Sequence, residues 1–485
     1  MRTTRRRFLS ALGAVGASLP LVSRAEGKPA TREGRRAVSR PNILIIIADD
    51  CTHNDLPLYG GQNVKTPNID RLATQGVVFN HAFLAMAMCN PCRTELYTGR
   101  YPARNGSCWN HSAARRGTKS IVHHLRALGY RVGLAGKKHV VPPRSFPFEK
   151  VPGIEGGCVH PSPKFATAGI RRFMGRDGDQ PFCLVTGLFE PHVPWTLGDP
   201  GHFDLKALKL PPNLADTEAT RRDYAKYLAE IEVLDREVGD ILKTLDDAGH
   251  ADDTLVIFTS EQGSQFPGNK WTNWNTGIHT GFVVRWPGRV TPGRRTDAMI
   301  QYADVAPTLI EAAGGQPKAG DFDGASFLPV LLGETDRHRE FAYFMHNNIP
   351  EGPPYPIRAV TDGTWHYIRN LTPEALYIEK HLMGQNQWHD YWPSWVFQAT
   401  FNERTRRLVQ RYMRRPPEQL YRMDQDPHEM ANLADDPAHA DAKRRLSAEL
   451  DRWMREQGDP GAALDTEAQW RASKQGRHFK RRGQE

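Results

Sequence analysis

Three stretches of the chain, residues 42–48, 182–189 and 254–259, are unbroken or nearly unbroken apolar runs rich in β-branched residues. A strand that alternates apolar and polar side chains keeps one face in water. An unbroken run has no such face, so each stretch reads as a strand covered on both sides, as in a parallel sheet. Each run hands the chain straight to polar groups: Asp49-Asp50, Glu190-Pro191-His192 and, after Ser260, Glu261-Gln262. A fourth strand, residues 130–136, delivers Lys137-Lys138-His139. Open α/β sheets bind ligands beyond the carboxyl ends of their strands, so these four ends mark where chemistry is expected.

Helical spacing fills the intervals. A helix is expected over 68–75, with Gly76 placed as its C-cap, and another over 120–128. A long helix is expected over 217–247, where Tyr224, Tyr227, Leu228, Ile231, Leu234, Val238, Ile241 and Leu245 recur on one face. With a further strand at 282–285, the alternation predicts a large doubly wound α/β sheet flanked by helices, spanning residues 41–335. Beyond 335 the pattern changes to short strands at 341–346, 357–361 and 365–370, with a turn at Asp362-Gly363 and a closing helix at 440–457. This predicts a smaller C-terminal α+β domain with an antiparallel sheet over 336–457. A chain of 485 residues is long enough for two such cores. Residues 458–485 are expected to form a basic, disordered tail.

The formal charge of +9 suggests a polyanionic partner until it is located. Residues 1–25 hold five arginines and no acid, and residues 471–485 hold six Lys or Arg against Glu485 alone. The body between them is near neutral, and no nucleic-acid-binding motif accompanies the basic ends. Thr4-Arg5-Arg6-Arg7-Phe8-Leu9-Ser10, the apolar run to Val22 and the small residues Ser23 and Ala25 resemble a twin-arginine export signal over 1–25. A flexible lead-in over 26–40 follows. A periplasmic or secreted location is expected, reached through the twin-arginine machinery. No apolar stretch reaches the roughly 20 residues that span a bilayer. The six cysteines at 51, 89, 92, 108, 158 and 183 permit disulfides after export but fit no zinc or redox spacing.

One cysteine stands in a pattern. In Cys89-Asn90-Pro91-Cys92-Arg93, followed by Thr98-Gly99-Arg100, a thiol precedes a cation by four residues, the setting that activates a cysteine. The hard oxygen donors Asp49, Asp50, Glu261 and Gln262 suit calcium or magnesium better than a transition metal. The stretch resembles the type I sulfatase signature, C-x-P-x-R followed by T-G-R, whose first Cys becomes formylglycine. Lys65 to Ala73, Gly136-Lys137-Lys138-His139, Pro191-His192, Thr259-Ser260-Glu261-Gln262-Gly263 and Leu420 to Glu429 resemble further segments of that family, so the likeness runs over roughly residues 41–457. Phe146-Pro147-Phe148 and Tyr355 to Val360 are similar to the heparan N-sulfatase (N-sulfoglucosamine sulfohydrolase) branch.

The resemblance implies an alkaline-phosphatase-like fold and hydrolysis of sulfate from a sulfated saccharide. It also implies a formylglycine-generating or sulfatase-maturing enzyme that converts Cys89 to 3-oxoalanine. By the same resemblance, Asp49, Asp50, Glu261, Gln262 and residue 89 hold one divalent cation, Ca2+. Arg93 holds the nucleophile, Lys137 and Lys270 bind sulfate oxygens, His139 acts as base and His192 faces the leaving group. Glu190 and Arg358, flanking family motifs, are the candidates for substrate contact. Two departures stand out: Glu261-Gln262 where Asp-Asn is usual, and Cys92 where Ser is common. Three alternatives remain open at this point. They are an O-sulfatase on another polysaccharide, a phosphate monoester or phosphonate hydrolase of the same superfamily, and a glycan-binding protein with unmodified Cys89.

Overall fold

The computed structural model describes residues 40–157, 163–178, 180–384 and 388–474. The export-signal pattern, the lead-in before residue 40, Cys158 and residues 475–485 lie outside the described residues.

The sheet grows outward from Asn42–Ala48 (β1), whose seven residues are all buried. The other strands of the sheet are Val77–Phe79 (β2), Arg131–Gly136 (β3), Glu149–Val151 (β4), Phe182–Gly187 (β5), Thr254–Ser260 (β6), Phe282–Arg285 (β7) and Arg294–Thr296 (β8). They lie in the order β8-β2-β7-β6-β1-β5-β3-β4. β1 pairs in parallel with both β5 and β6, so the three unbroken apolar runs are immediate neighbours at the centre. This is the expected α/β fold, a mixed sheet because β7 runs antiparallel to β6 and β2. Register brings the carboxyl ends together: Ala48 faces Ser260, Ile47 faces Gly187, and Gly136 faces Gly187. Asp49, Asp50, Lys137, Glu190, Glu261 and Gln262 therefore leave one edge of the sheet side by side.

The helices follow the sequence closely. Pro67–Thr74 (α1) buries Ile69 and Leu72, and Pro67 opens it, where a missing N–H costs nothing. Gly76 is not its left-handed cap, because it is not among the glycines with positive φ. Glycine is needed there for another reason: a Cβ at 76 would lie 2.4 Å from the carbonyl oxygen of Val284 in β7. The long helix Glu218–Asp247 (α3 here, with Cys89–Thr98 as α2) starts where the Thr217 hydroxyl accepts from the Thr220 N–H. All eight of its expected core positions are buried.

The second sheet is antiparallel, with Ala342–His346 (β9), Ile357–Thr361 (β10), Trp365–Asn370 (β11) and Glu418–Arg422 (β12) in sequential order. Helix Ala440–Gln457 packs against β10 and β11. Residues from Arg40 onward form one compact unit. The antiparallel sheet is tied to the rest of this unit where the Met345 N–H donates to the Ala85 carbonyl at 2.8 Å and Gln301 Nε2 donates to the Tyr343 carbonyl at 2.7 Å.

The expectation of a disordered tail from 458 onward is corrected for residues 458–474. A short 3-10 turn at Gly461–Leu464 and a helix at Glu467–Lys474 are formed. The buried Asp459 carboxylate takes the Arg358 guanidinium, and buried Asp465 accepts backbone N–H groups of Asn348, Ile349 and Tyr355. A buried cation and three buried N–H groups need partners, and this stretch supplies them. A composition-based reading of the basic end could not see those long-range pairings.

Candidate active site

The site is built around the start of α2, Cys89–Thr98, all ten of whose residues are buried. Pro91 sits in the first turn, where its missing N–H has no intrahelical partner to lose, and Gly99 ends the helix in left-handed geometry at φ 66°. This seats Cys89 at the positive end of the helix, facing the acids that leave β1. Its Sγ lies 3.6 Å from Asp49 Oδ1 and 4.0 Å from Asp50 Oδ1. The Gln262 amide nitrogen lies 3.1 Å from the same sulfur and donates to Asp50 Oδ1 at 2.6 Å.

Three buried carboxylates meet three buried cations. Lys137 binds Asp49, Lys270 donates to Asp50 at 2.6 Å, and Arg93 Nε donates to Glu261. Arg93 also donates to the Lys137 carbonyl at 2.8 Å. That contact depends on Gly187, because a Cβ there would stand 2.9 Å from Arg93 Nη1 and 2.5 Å from the Lys137 oxygen. Burial alone would raise the Asp49 pKa, yet Lys137, with Glu261, His192 and Arg93, holds it well below the usual carboxylate range. Burial, reinforced by Asp49, outweighs Arg93 and Lys137 at Glu261 and pushes it up to about 8. A proton shared by Asp49 and Glu261 is the physical reading of that opposed pair.

Arg93 was expected to lower the Cys89 pKa, and the structure corrects this. Burial pushes the thiol well above its ordinary value despite Lys137 and Lys270, and the Arg93 guanidinium is committed to Glu261. Residue 89 as a plain cysteine is therefore a protonated thiol with little nucleophilic character. Cys92 lies 3.4 Å from Glu261 Oε1 and 3.4 Å from Gln262 Oε1, so its sulfur packs beside the donor pair. Cys89 and Cys92 are both free thiols, with no disulfide between them.

The two expected histidines flank the cluster. His192 Nε2 is 3.4 Å from Asp50 Oδ2, and its Nδ1 is 2.6 Å from the Val193 carbonyl, which can only accept. Nδ1 therefore carries a proton. Burial lowers the His192 pKa to about 4, so Nε2 bears a lone pair at neutral pH. His139 Nε2 meets His111 Nδ1 at 2.9 Å, while its own buried Nδ1 has no partner. Burial, helped by Lys137, keeps His139 neutral. Asp50, His111, His139 and Trp271 all have positive φ without being glycine. Such backbone strain collects where a site overrides local preference.

Sequence reasoning did not single out His111, which lies in a loop without motif or period. Nor did it find Asn90 and Ser107: Asn90 Nδ2 donates to the His139 carbonyl at 2.9 Å, and the Ser107 hydroxyl donates to Asn90 Oδ1 at 2.8 Å. Asn90 stands inside the C-x-P-x-R pattern, and that position was the available signal.

The two proposed substrate contacts are corrected. Glu190 is buried and hydrogen-bonds with Glu237 of α3, and its Oε2 accepts from the Phe189 N–H at 3.1 Å. Arg358 spends its donors on Asp459, the His346 and Ile357 carbonyls, Asn347 and the Gly461 carbonyl. Both side chains are buried and engaged within the protein.

The ligand atoms of Asp49, Asp50, Cys89 and Glu261 lie within 4.8 Å of one another, so these residues could hold a cation. A second cluster, Glu351, Glu379 and His381, has similar spacing, but Glu351 is already engaged by Asn110, Lys380 and His381. Among the described residues no helix is long and apolar enough to cross a membrane.

Comparison with known proteins agrees with this geometry. The sulfatase family model matches residues 41–315, and the model for the C-terminal region of N-sulphoglucosamine sulphohydrolase matches residues 269–372. An ulvan-active sulfatase of Formosa agariphila is 32% identical over 426 residues, covering 87% of this chain and 81% of its own. Human N-sulphoglucosamine sulphohydrolase is 28% identical, covering 87% and 91%. A protein solved with its substrate D-glucosamine-2-N,6-O-disulfate has TM-score 0.66 at 20% identity over 87% of this chain and 99% of that one. The phosphonate monoester hydrolase of Agrobacterium radiobacter has TM-score 0.65 at 20% identity over 86% and 96%. At those identities the structures show a shared fold. The family match and the 32% relative show more: this chain is an enzyme that belongs to the sulfatase family.

Proposed function

We propose that the enzyme removes sulfate groups from a sulfated carbohydrate, using formylglycine derived from Cys89 and one divalent cation, calcium. One observation carries the reading: the buried Cys89 sulfur lies 3.6 and 4.0 Å from the two acids that end the central strand. A protonated thiol is poorly suited to attack there, and an oxygen nucleophile made from it would be well placed. The hydrated aldehyde supplies one hydroxyl for attack on sulfur and a second for release of sulfate.

The donor set fits a hard cation. Asp49, Asp50, Glu261 and Gln262 offer oxygen atoms in a buried cluster, and the residue-89 oxygen would complete it. Bound there, calcium supplies Lewis acidity toward a sulfate oxygen. Lys137 and Lys270 bring two ammonium groups to the anionic substrate and stabilise charge that develops on it. Arg93 fixes Glu261 and the Lys137 carbonyl in place. Neutral His139, with an unpartnered Nδ1, takes a proton, and His192 exchanges one at Nε2, its ring set by the Val193 carbonyl.

The match to the N-sulphoglucosamine sulphohydrolase C-terminal model and the human relative support an N-sulfated glucosamine end on a heparan-type glycan. The ulvan-active relative at 32% identity supports the second reading, an O-sulfated polysaccharide. Sulfate release measured on N-sulfated glucosamine and on matched O-sulfated saccharides separates the two. Turnover of an aryl phosphate or phosphonate above that of an aryl sulfate would overturn both. Maturation by a formylglycine-generating or sulfatase-maturing enzyme and export by the twin-arginine route to the periplasm or beyond complete the proposal. Fractionation of cells expressing Arg6→Lys/Arg7→Lys checks the export step.

A further inference from the structure

A cavity of about 690 Å³ lies over helix Glu403–Met413, and four arginines line it while no carboxylate does. Arg404, Arg407, Arg411 and Arg414 are spaced by three, four and three residues, the spacing that puts side chains on one helix face. The row extends along roughly 15 Å of helix axis. That is too long for one sulfate or phosphate and suits a ligand carrying several anionic groups.

Arg411 lies 3.8 Å over the Trp274 ring and donates to the Glu429 carbonyl at 2.7 Å, so one guanidinium is fixed in advance. Arg404, Arg407 and Arg414 are exposed. Of these, Arg407 shares Glu403 at 3.5 Å and Arg404 donates to the Pro212 carbonyl at 3.2 Å. Guanidinium groups bind sulfate and carboxylate oxygens two at a time. Trp274 also ties the cavity to the catalytic cluster, because it stands four residues after Lys270, whose ammonium binds Asp50. Four residues span at most about 14 Å.

The aromatic rings of the wall decide between polyanions. Trp274 and Tyr421 are each only 2% exposed. Single-stranded nucleic acid needs accessible rings on which bases stack, and these two are covered. A sulfated glycan needs cations and an open groove.

We propose that this cavity is a non-catalytic subsite that holds an anionic stretch of a sulfated polysaccharide next to the active site. The proposal rests on the glycan reading above, which it extends from a sulfated end to a polymer. The test compares the full-length enzyme with Arg404→Ala/Arg407→Ala/Arg414→Ala and with a charge-matched control, Arg172→Ala/Arg289→Ala/Arg455→Ala. The probe is heparin, with binding read by affinity electrophoresis and turnover read on an aryl sulfate and on heparin. The cavity variant should bind heparin roughly tenfold more weakly, the control within about twofold of wild type, and aryl sulfate turnover should be the same in all three. Equal weakening in both variants, no weakening in either, or preference for single-stranded RNA over heparin would overturn the proposal. If no saccharide yields sulfate but heparin binding still depends on the cavity arginines, the subsite stands and the glycan-substrate reading falls.

Discussion

The Gln262 side chain turns its amide nitrogen toward Asp50 Oδ1 at 2.6 Å, while its amide oxygen faces the Cys92 thiol at 3.4 Å. A cation would require the reverse orientation, so a half-turn of this one amide couples ion binding to the local hydrogen bonds. Chelation of the matured enzyme should therefore abolish turnover and lower Tm. Calcium at about 100 times its dissociation constant should restore roughly 2.7 kcal/mol of stability. Gln262→Leu should need at least tenfold more calcium for the same Tm. A calcium-independent Tm in the wild type would count against the cation site.

Residue 89 is only 2% exposed in the folded chain, so an enzyme that modifies it has to act before the cluster closes. Protein made with a maturing enzyme should show a residue-89 peptide lighter by about 18 Da, the difference between thiol and aldehyde. Cys89→Ala should lose at least about a thousandfold in kcat and keep its Tm within a few degrees. Full activity with an unmodified peptide would exclude the mechanism.

Gly187→Ala places a methyl where Arg93 reaches the Lys137 carbonyl. At 2.5 Å from the Lys137 backbone oxygen and 2.9 Å from Arg93 Nη1, the methyl forces one of them to shift. We expect a loss of about 1–3 kcal/mol in stability and at least tenfold in kcat. Thermal unfolding and aryl sulfate kinetics measure the two effects.

Glu237 lies against Glu190, and burial, reinforced by Glu190, pushes its pKa up to about 10. A carboxyl with a raised folded pKa favours the folded state fully below its unfolded value near 4.3, and that advantage is lost as pH rises toward the folded value. Wild-type Tm should accordingly fall between pH 6 and pH 10, other groups being common to both proteins. Glu237→Gln keeps a neutral donor to Glu190 and should flatten that fall, as differential scanning calorimetry across the range would show. Parallel curves for the two proteins would show that Glu237 is not the titrating group.

The central strands, the long helix and the cluster at their carboxyl ends were legible because each is local. An unbroken apolar run, a helical period and the acid that follows a strand all lie within about thirty residues. What stayed hidden depends on distant partners. Arg358 read as a substrate contact because nothing near it reveals Asp459, about a hundred residues on. Gly76 read as a cap because the carbonyl it must pass belongs to Val284. The activated-thiol reading of Cys89 failed because the assembled fold buries the sulfur, and Glu261, far along the chain, claims Arg93.

The pairing of Arg358 with Asp459 also sets an order in time. Translation proceeds from the N-terminus, so the strand carrying Arg358 emerges well before its counter-charge, and Asp465 follows later still. Until then the fully buried guanidinium has only the His346 and Ile357 carbonyls and Asn347 as acceptors, and three backbone N–H groups lack the carboxylate that takes them. The antiparallel sheet gains these last partners only when synthesis is nearly done. A ribosome that stops early, or a protease that trims before Asp459, leaves a chain that carries every residue of the Cys89 cluster but whose second sheet lacks the carboxylates that take its buried cation and N–H groups.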